Sequence, residues 1–394
     1  MTDPIIRIAA RGDGVSAAGH HIAFAVPGDE LLDDGTLIQG KGHQVPPCRH
    51  FPECGGCQLQ HLTDAAYADY CRSRVVGALA QHGIETKVRT PHLSPPRTRR
   101  RATLRAIKVG RGTAIGFNAA ASNRVVDMRE CHILAPELFA LVQPLRNLLA
   151  GLIPPKRTAE IHLALIDQGV DVLLKGVVPE GLAAAEGLTA FADQHRLARL
   201  SIDEGYGAEA RFEPVPATTT LGGVAVAFPP GAFLQATADG EAALIESVRE
   251  ATGRSARKLD LFAGLGTFAL SLEGQVVAAE AARDAILALQ VAAARSGRQV
   301  AADHRDLYRR PYDASELASF EAVVLDPPRS GAAEQVRALA TSAVPRIAYV
   351  SCNPATFARD AEMLLTGGYR LSWVRPVGQF RWSTHVELAA CFER

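Results

Sequence analysis

A cysteine, Cys352, ends the apolar run Ile347-Ala-Tyr-Val-Ser351 and is followed by Asn353-Pro354, which places a thiol where a strand gives way to a polar turn. A second apolar run, Ala322-Val-Val-Leu325, ends in the same manner in Asp326-Pro-Pro-Arg329. Open parallel sheets bind their ligands at the carboxyl ends of the strands, so the thiol is a candidate nucleophile and Asp326 a candidate orienting group. Close to the end of the chain, His385-Val-Glu387 adds a carboxylate suited to proton transfer.

The stretch Lys258-Leu-Asp-Leu-Phe-Ala-Gly-Leu-Gly-Thr267 reads as an apolar strand running into a glycine turn and a new helix. Gly264 and Gly266 permit positive φ and let a ligand approach the backbone, where helix N-terminal amides are expected. Twenty residues beyond Asp260, the strand Val276-Val-Ala-Ala ends in Glu280, an acid spaced to hydrogen-bond ribose hydroxyls. This spacing suits an adenosine cofactor. Polar groups at two further strand ends are more than a nicotinamide dehydrogenase needs.

Seven cysteines, an odd number in a chain whose first residues show no export signal, argue against a disulfide framework. Three of them lie in Cys48-Arg-His-Phe-Pro-Glu-Cys54-Gly-Gly-Cys57, and Cys131 is the natural fourth. Adjacent glycines let such a loop curl around a metal. Spacing alone leaves structural zinc and an iron–sulfur cluster equally open. Cys71 and Cys391 read as buried small apolar residues.

Between Thr86 and Val126 there is no acidic residue but there are ten basic ones: Lys87, Arg89, Arg97, Arg99, Arg100, Arg101, Arg105, Lys108, Arg111 and Arg124. Forty-two acidic and forty-two basic residues cancel over the 394-residue chain, so this local asymmetry is the only charge signal for a nucleic-acid partner. Arg99, Arg101 and Arg105 share parity, which would line them along one face of a strand. No run approaches the roughly 18 apolar residues of a membrane span, so the sequence is read as cytoplasmic, without a membrane partner.

Together these blocks resemble the S-adenosylmethionine-dependent RNA uracil-5 methyltransferases, the iron–sulfur-containing enzymes that modify 23S ribosomal RNA or transfer RNA. The likeness is carried by Asp260-Leu-Phe-Ala-Gly-Leu-Gly, Asp326-Pro-Pro-Arg-Ser-Gly, Val350-Ser-Cys-Asn-Pro-Ala-Thr-Phe-Ala-Arg-Asp360, His385-Val-Glu387 and the cysteine set, and extends from about residue 46 to the end. It implies methyl transfer to C5 of a specific uridine, through a covalent bond from Cys352 to C6 and proton abstraction by Glu387. It further implies S-adenosylmethionine bound by Gln235, Phe262, Gly264, Gly266, Glu280, Asp306 and Asp326, and a [4Fe-4S] cluster on Cys48, Cys54, Cys57 and Cys131. Arg99, Arg101 and Arg105 are the expected RNA contacts. The expected partner is 23S ribosomal RNA, with transfer RNA as the alternative, and the expected state is a monomer. Rival classes are a small-molecule methyltransferase, which has no use for the basic cluster, and an RNA-binding protein with an inactive domain, which has no need to keep Cys352 and Glu387.

The elements that must hold these groups make an α/β protein in three parts. Residues 231–394 are expected to form a Rossmann-like class I methyltransferase domain, and residues 46–230 a central α/β domain with the iron–sulfur loop. Residues 1–45 would form a short β-barrel-like segment, a degenerate TRAM/OB-like module judged too short beyond Glu30 for its remaining strands. The pattern from Leu62 to His82 predicts a helix behind a Thr cap, stopped by Gly83 and packed on the catalytic domain. Helices are also predicted over 135–149, 183–195 and 236–252, with two strands between Glu160 and Val178. The family commonly ends in Phe-Pro-His-Thr-x-His-Val-Glu, whereas this chain has Phe380-Arg-Trp-Ser-Thr-His-Val-Glu387, a departure expected to alter the grip on RNA.

Overall fold

The computed structural model describes residues 2–110, 112–154 and 156–394; Arg111 of the basic cluster lies outside the described residues. The chain divides into two compact units: residues 1–46, 58–94 and 239–394 form one, and residues 47–57 and 95–238 the other. This division departs from a linear order of three parts. The N-terminal segment and the predicted helix join the C-terminal region, and the cysteine loop joins the middle of the chain.

The first unit begins with β1 (Thr2–Ile8), β2 (Gly14–Ser16), β3 (His21–Ile22), β4 (Glu30–Leu32) and β5 (Leu37–Ile38), paired antiparallel in the order β3-β2-β1-β4-β5. The expectation that too little chain remains beyond Glu30 is corrected here. Strands of two and three residues fit there, too short to show an alternating pattern. Buried Asp29 holds the sheet's return, accepting the Val26 and Gly40 amides at 2.8 Å and binding His43 Nε2 at 2.9 Å.

Helix α1 (Asp64–Ala80) starts at Thr63, whose hydroxyl accepts the Ala66 amide at 3.3 Å, and the chain turns at Gly83 with φ +66°. Tyr67, Tyr70, Cys71, Val75 and Leu79 form its buried face. They join one core with Leu259, Tyr349, Phe357 and Phe392, so α1 packs on the C-terminal region. Strand β6 (His92–Leu93) follows and later becomes an edge of that region's sheet.

The second unit is built on β7 (Arg101–Val109), β8 (Gly112–Gly116), α2 (Pro136–Ala140), α3 (Val142–Leu149), β9 (Thr158–Ile166), β10 (Gly169–Lys175), α4 (Gly181–Gln194), β11 (Arg199–Asp203) and β12 (Ala208–Phe212). Its sheet has the order β12-β11-β10-β9-β7-β8 and is antiparallel except for β10 and β11, which α4 connects as a parallel crossover. A hairpin of β13 (Thr218–Leu221) and β14 (Val224–Ala227) turns on Gly222 and Gly223. Their φ of +55° and +79° are what a two-residue hairpin turn asks of both central residues. The core lies between helices and sheet, around Leu104, Leu138, Leu145, Ile161, Val172 and Leu200.

Back in the first unit, α5 (Ala238–Thr252) leads to β15 (Arg257–Leu261), β16 (Gln275–Glu280), α6 (Arg283–Ser296), β17 (Val300–His304), α7 (Ala314–Leu317), β18 (Ala322–Leu325), α8 (Ala333–Thr341), β19 (Arg346–Ser351), α9 (Pro354–Thr366), β20 (Arg370–Gly378) and β21 (Glu387–Glu393). The order β17-β16-β15-β18-β19-β21-β20-β6 has β15 to β19 parallel and β21 antiparallel between β19 and β20. Strands β18 and β19 are almost wholly buried, which is why they read as continuous apolar runs. From β15 the chain moves outward through β16 and β17, then returns to place β18 on the other side. The resulting crevice at the carboxyl ends of β15 and β18 is the place where open sheets of this kind take ligands.

Candidate active site

The β15 strand delivers its turn into that crevice. Phe262, Gly264 and Gly266 have φ of +63°, +55° and +94°. A Cβ at Gly264 would meet no atom within 4 Å, whereas at Gly266 it would lie 2.4 Å from Leu289 Cδ1. The first glycine leaves open space; the second is held to glycine by its φ of +94°, with the Leu289 side chain of α6 close against it. The new helix expected here does not form: residues 264–271 are a series of turns with isolated helical bonds, Leu270 N–H to Gly266 O at 2.9 Å and Leu272 N–H to Phe268 O at 3.0 Å. Two glycines at positive φ, Gly264 and Gly266, favour turns over a regular helix N-terminus.

Glu280, at the end of β16, accepts the amides of Gly264 at 2.9 Å and Ala282 at 2.7 Å. It braces the turn and keeps acceptor capacity for hydroxyl groups. Phe262 lies against Tyr308, ring centroids 5.7 Å apart, and the Tyr308 hydroxyl meets Ser330 Oγ at 3.0 Å. Nothing in the sequence singled out Tyr308, since an aromatic two residues after an acid carries no motif. Asp306 is turned to its own loop, accepting the Tyr308 and Arg309 amides and pairing with Arg309 at 3.4 Å.

Two carboxyls converge beneath the crevice. Asp260 is fully buried; its Oδ2 accepts the Ala269 amide at 2.8 Å, and Oδ1 has no hydrogen-bond partner among the described residues. Burial, and then the neighbouring Asp326, push its carboxyl well above the ordinary range. Burial also pushes Asp326 up to about 7, although an edge of the residue reaches the surface. A carboxyl raised in this way adds stability below the ordinary value of 3.8, and the contribution is lost as pH rises through about 7. Asp326→Asn removes that slope. The variant should gain on the native chain between pH 4 and 7 by about 1 to 4 kcal/mol, the lower figure allowing for the exposed edge. Urea midpoints at several pH values measure this gap, and a gap independent of pH would contradict the buried carboxyl.

Strand pairing brings Cys352 and Glu387 together. Ser351 of β19 pairs with Leu388 of β21, so the next residue of one strand faces the preceding residue of the other. Cys352 is half-buried and Glu387 only 5% exposed. Burial raises the thiol, the charges of Glu387 and Asp326 raise it further, and Arg329 opposes them. The resting form is therefore the thiol, and Arg329 is the nearby charge that favours the thiolate. The loops are tied to each other: Asn353 caps α9 through the Ala355 amide at 3.1 Å and donates from Nδ2 to Arg329 O at 3.1 Å. Arg329 Nη2 lies 2.6 Å from His385 Nδ1.

The turn before Glu387 is pinned by α1 and by the segment that leads into that helix. Tyr67 Oη donates to Phe380 O at 3.0 Å, Tyr70 Oη to Thr384 O at 3.1 Å, and the Gln58 and Leu59 amides to Trp382 O at 2.8 and 2.9 Å. Arg381 and Trp382, expected to alter the grip on RNA, are buried at 8% and 4% exposure. Arg381 pairs with Asp64 and donates to Ser94 O at 3.1 Å. The departure from the family pattern is thus an internal lock.

In the second unit, the cysteine loop docks on the segment around residue 118, Gly55 N–H to Asn118 O at 2.8 Å, while the Arg129 amide donates to His50 Nε2 at 2.9 Å. Gly55 is forced, since a Cβ there would lie 2.7 Å from Asn118 O. Burial raises the thiols of Cys48, Cys54 and Cys131; Cys131 further raises Cys48, Cys48 raises Cys54, and Cys54 raises Cys131. The charges of Cys57 and Cys131 are felt at Arg99. Among the described residues, however, no group of three or more His, Cys, Asp or Glu is arranged to hold a metal ion. Partly buried cysteines whose thiolate charges would repel one another are a donor set a cation would relieve, so the residue types fit a metal while their arrangement is not a finished cage.

The three arginines read as RNA contacts part company. Arg101 and Arg105 lie on one face of β7, Arg101 over the exposed Phe233 ring at 4.4 Å and donating from Nε to Leu234 O at 2.8 Å, Arg105 paired with Glu160 at 2.5 Å. Arg99 precedes the strand, donates from Nε to Arg101 O at 3.0 Å and neighbours the cysteines, so its parity does not carry it onto that face. Gln235, also in the second unit, is 4% exposed, and its carbonyl accepts from Arg100 Nε at 3.2 Å.

A family model described as tRNA (uracil-5-)-methyltransferase matches residues 224–394. The chain is 49% identical over 393 residues to an uncharacterized RNA methyltransferase of Zymomonas mobilis, covering 99% of each. It is 32% identical over 368 residues to the 23S rRNA (uracil(1939)-C(5))-methyltransferase RlmD of Thiobacillus denitrificans, covering 89% of this chain and 85% of the other. Its fold is like the crystal structure of Pyrococcus abyssi tRNA (uracil-54, C5)-methyltransferase in complex with S-adenosyl-L-homocysteine, with a TM-score of 0.77 at 23% identity over 100% and 99% of the two chains.

Proposed function

Because this chain belongs to the RNA (uracil-5-)-methyltransferase family, we propose that it transfers a methyl group from S-adenosylmethionine to C5 of one uridine, in 23S ribosomal RNA. The observation that carries this reading is the pairing of β19 and β21, which sets the Cys352 thiol opposite the Glu387 carboxylate at the rim of the sheet. The choice of 23S over transfer RNA is supported by the RlmD relative, the one ribosomal enzyme named among the likenesses above.

Carbon 5 of uracil is a weak nucleophile, because its electrons are delocalised into the ring carbonyl. Attack of the Cys352 thiolate on C6 makes the ring an enolate, rich at C5. Bound S-adenosylmethionine supplies an electrophilic methyl on a sulfonium. Arg329 favours the thiolate, Asp326 orients the uracil edge or the cofactor, and Glu387 removes the C5 proton so that the cysteine is released. Phe262, Gly264, Gly266 and Glu280 line the adenosine side of the crevice in this reading. Asp306 is proposed there through its loop. Gln235 is proposed on the resemblance alone.

The target base must leave its stack, at a cost of a few kcal/mol, which phosphate contacts offset. We assign such contacts to Arg101 and Arg105, with Arg99 supporting their strand. Arg101→Ala should weaken RNA binding roughly tenfold and lower the salt slope by about one, whereas Arg105→Ala, whose charge Glu160 already meets, should do less. Filter binding at two salt concentrations measures both, and unchanged slopes would remove these residues from the interface.

Cys48, Cys54, Cys57 and Cys131 would hold a [4Fe-4S] cluster, which would cross-link the loop to the segment around Cys131. Protein purified without oxygen should contain about four iron and four sulfide per chain. Stoichiometric zinc, or no metal, would contradict the cluster. The function itself is tested by mapping 5-methyluridine in RNA from cells lacking the gene. One uridine of 23S RNA should be unmethylated and be restored by the purified protein; loss confined to transfer RNA would contradict the substrate.

A further inference from the structure

Gln379 is 1% exposed, and its side-chain Nε2 donates to Glu387 Oε2, itself in a residue 5% exposed. The strand register explains the contact. Val377 pairs with Glu387 across β20 and β21, and Gln379, two residues on, has the same parity as Val377, diagonal to the carboxylate. We propose that Gln379 is the positioning residue of Glu387, holding its carboxylate ionised and in one rotamer for the step that removes the C5 proton. This inference rests on the function proposed above and goes beyond it.

A primary amide N–H donates and does not accept, so the contact favours the charged carboxylate, the form able to take a proton. The turn from Phe380 to Val386 that joins the two residues is held at Phe380, Trp382, Ser383 and Thr384 by Tyr67, Tyr70 and the Gln58 and Leu59 amides. The two ends of the contact therefore share one rigid frame. In the step served, Glu387 accepts the C5 proton, the C5–H electron pair becomes the C5–C6 double bond, and the C6–S bond breaks to return the Cys352 thiolate. Addition of the thiolate and methyl transfer precede this step and do not use the carboxylate's basicity.

The test separates the two halves of the reaction. With 5-fluorouridine RNA and S-adenosylmethionine, Gln379→Met should form the covalent complex at the native rate. With ordinary RNA it should accumulate a methylated, still-attached complex, release slowing about tenfold or more. Gln379→Glu can donate only when protonated, so its release rate should rise as pH is lowered, opposite to the native chain. Native-like release by Gln379→Met, equal loss of both halves, or a Gln379→Glu profile that parallels the native one overturns the assignment. Failure of the native chain to attach to 5-fluorouridine RNA overturns the underlying function instead.

Discussion

Cys352→Ala should lower methyl transfer by about four orders of magnitude or more and abolish the covalent complex with RNA, while leaving RNA affinity within a few-fold of native. Loss on that scale is expected when a covalent nucleophile is removed from a site whose other members act only through it. The thiol is half-buried and bonds to none of the side chains that tie the loop, which is held instead by Asn353, Thr356 and Arg329. The alanine variant should therefore fold. Single-turnover transfer of labelled methyl, with RNA binding measured in parallel, checks this. Activity within tenfold of native would mean that C5 is activated in another manner.

Glu387→Gln should have the second largest effect and an opposite signature. Attachment and methyl transfer should proceed, while release slows by roughly 10²- to 10⁴-fold, the usual range for a lost general base. The amide nearly preserves volume, which matters because the residue is only 5% exposed. Most of the enzyme should then be trapped on methylated RNA. Electrophoresis under denaturing conditions after a single turnover distinguishes this from a loss of binding. Free methylated product at the native rate would assign the base to another group.

Much of the site was legible because its residues sit at strand ends. Buried parallel strands read as unbroken apolar runs, so their carboxyl ends could be located, and with them Glu280, Asp326 and Cys352. The Thr63 cap and the Gly83 stop defined α1 locally, and the structure places both there. Gly264 and Gly266 were legible as a turn, but the helix beyond them was not decided by local sequence.

What escaped the sequence depends on distant partners. That α1 and the N-terminal sheet belong with the C-terminal region follows from contacts hundreds of residues apart, such as Tyr67 with Phe380. The charge of Arg105 is met by Glu160 on the neighbouring strand, which no count of basic residues reveals. Arg381 and Trp382 are expected from sequence to alter the grip on RNA, yet a positive φ of 58° at Trp382 and the Asp64 ion pair turn both inward. Gln379 carries no motif, and its partner is visible only once β20 and β21 are paired.

The central claim is one bond, from the Cys352 sulfur to C6 of a uracil. Mass spectrometry of the nuclease- and protease-digested complex formed with 5-fluorouridine RNA and S-adenosylmethionine tests it most directly. The account predicts a methylated fluorouridine on the peptide that contains Cys352. Attachment at another residue, or no attachment by protein that binds the RNA, would contradict it.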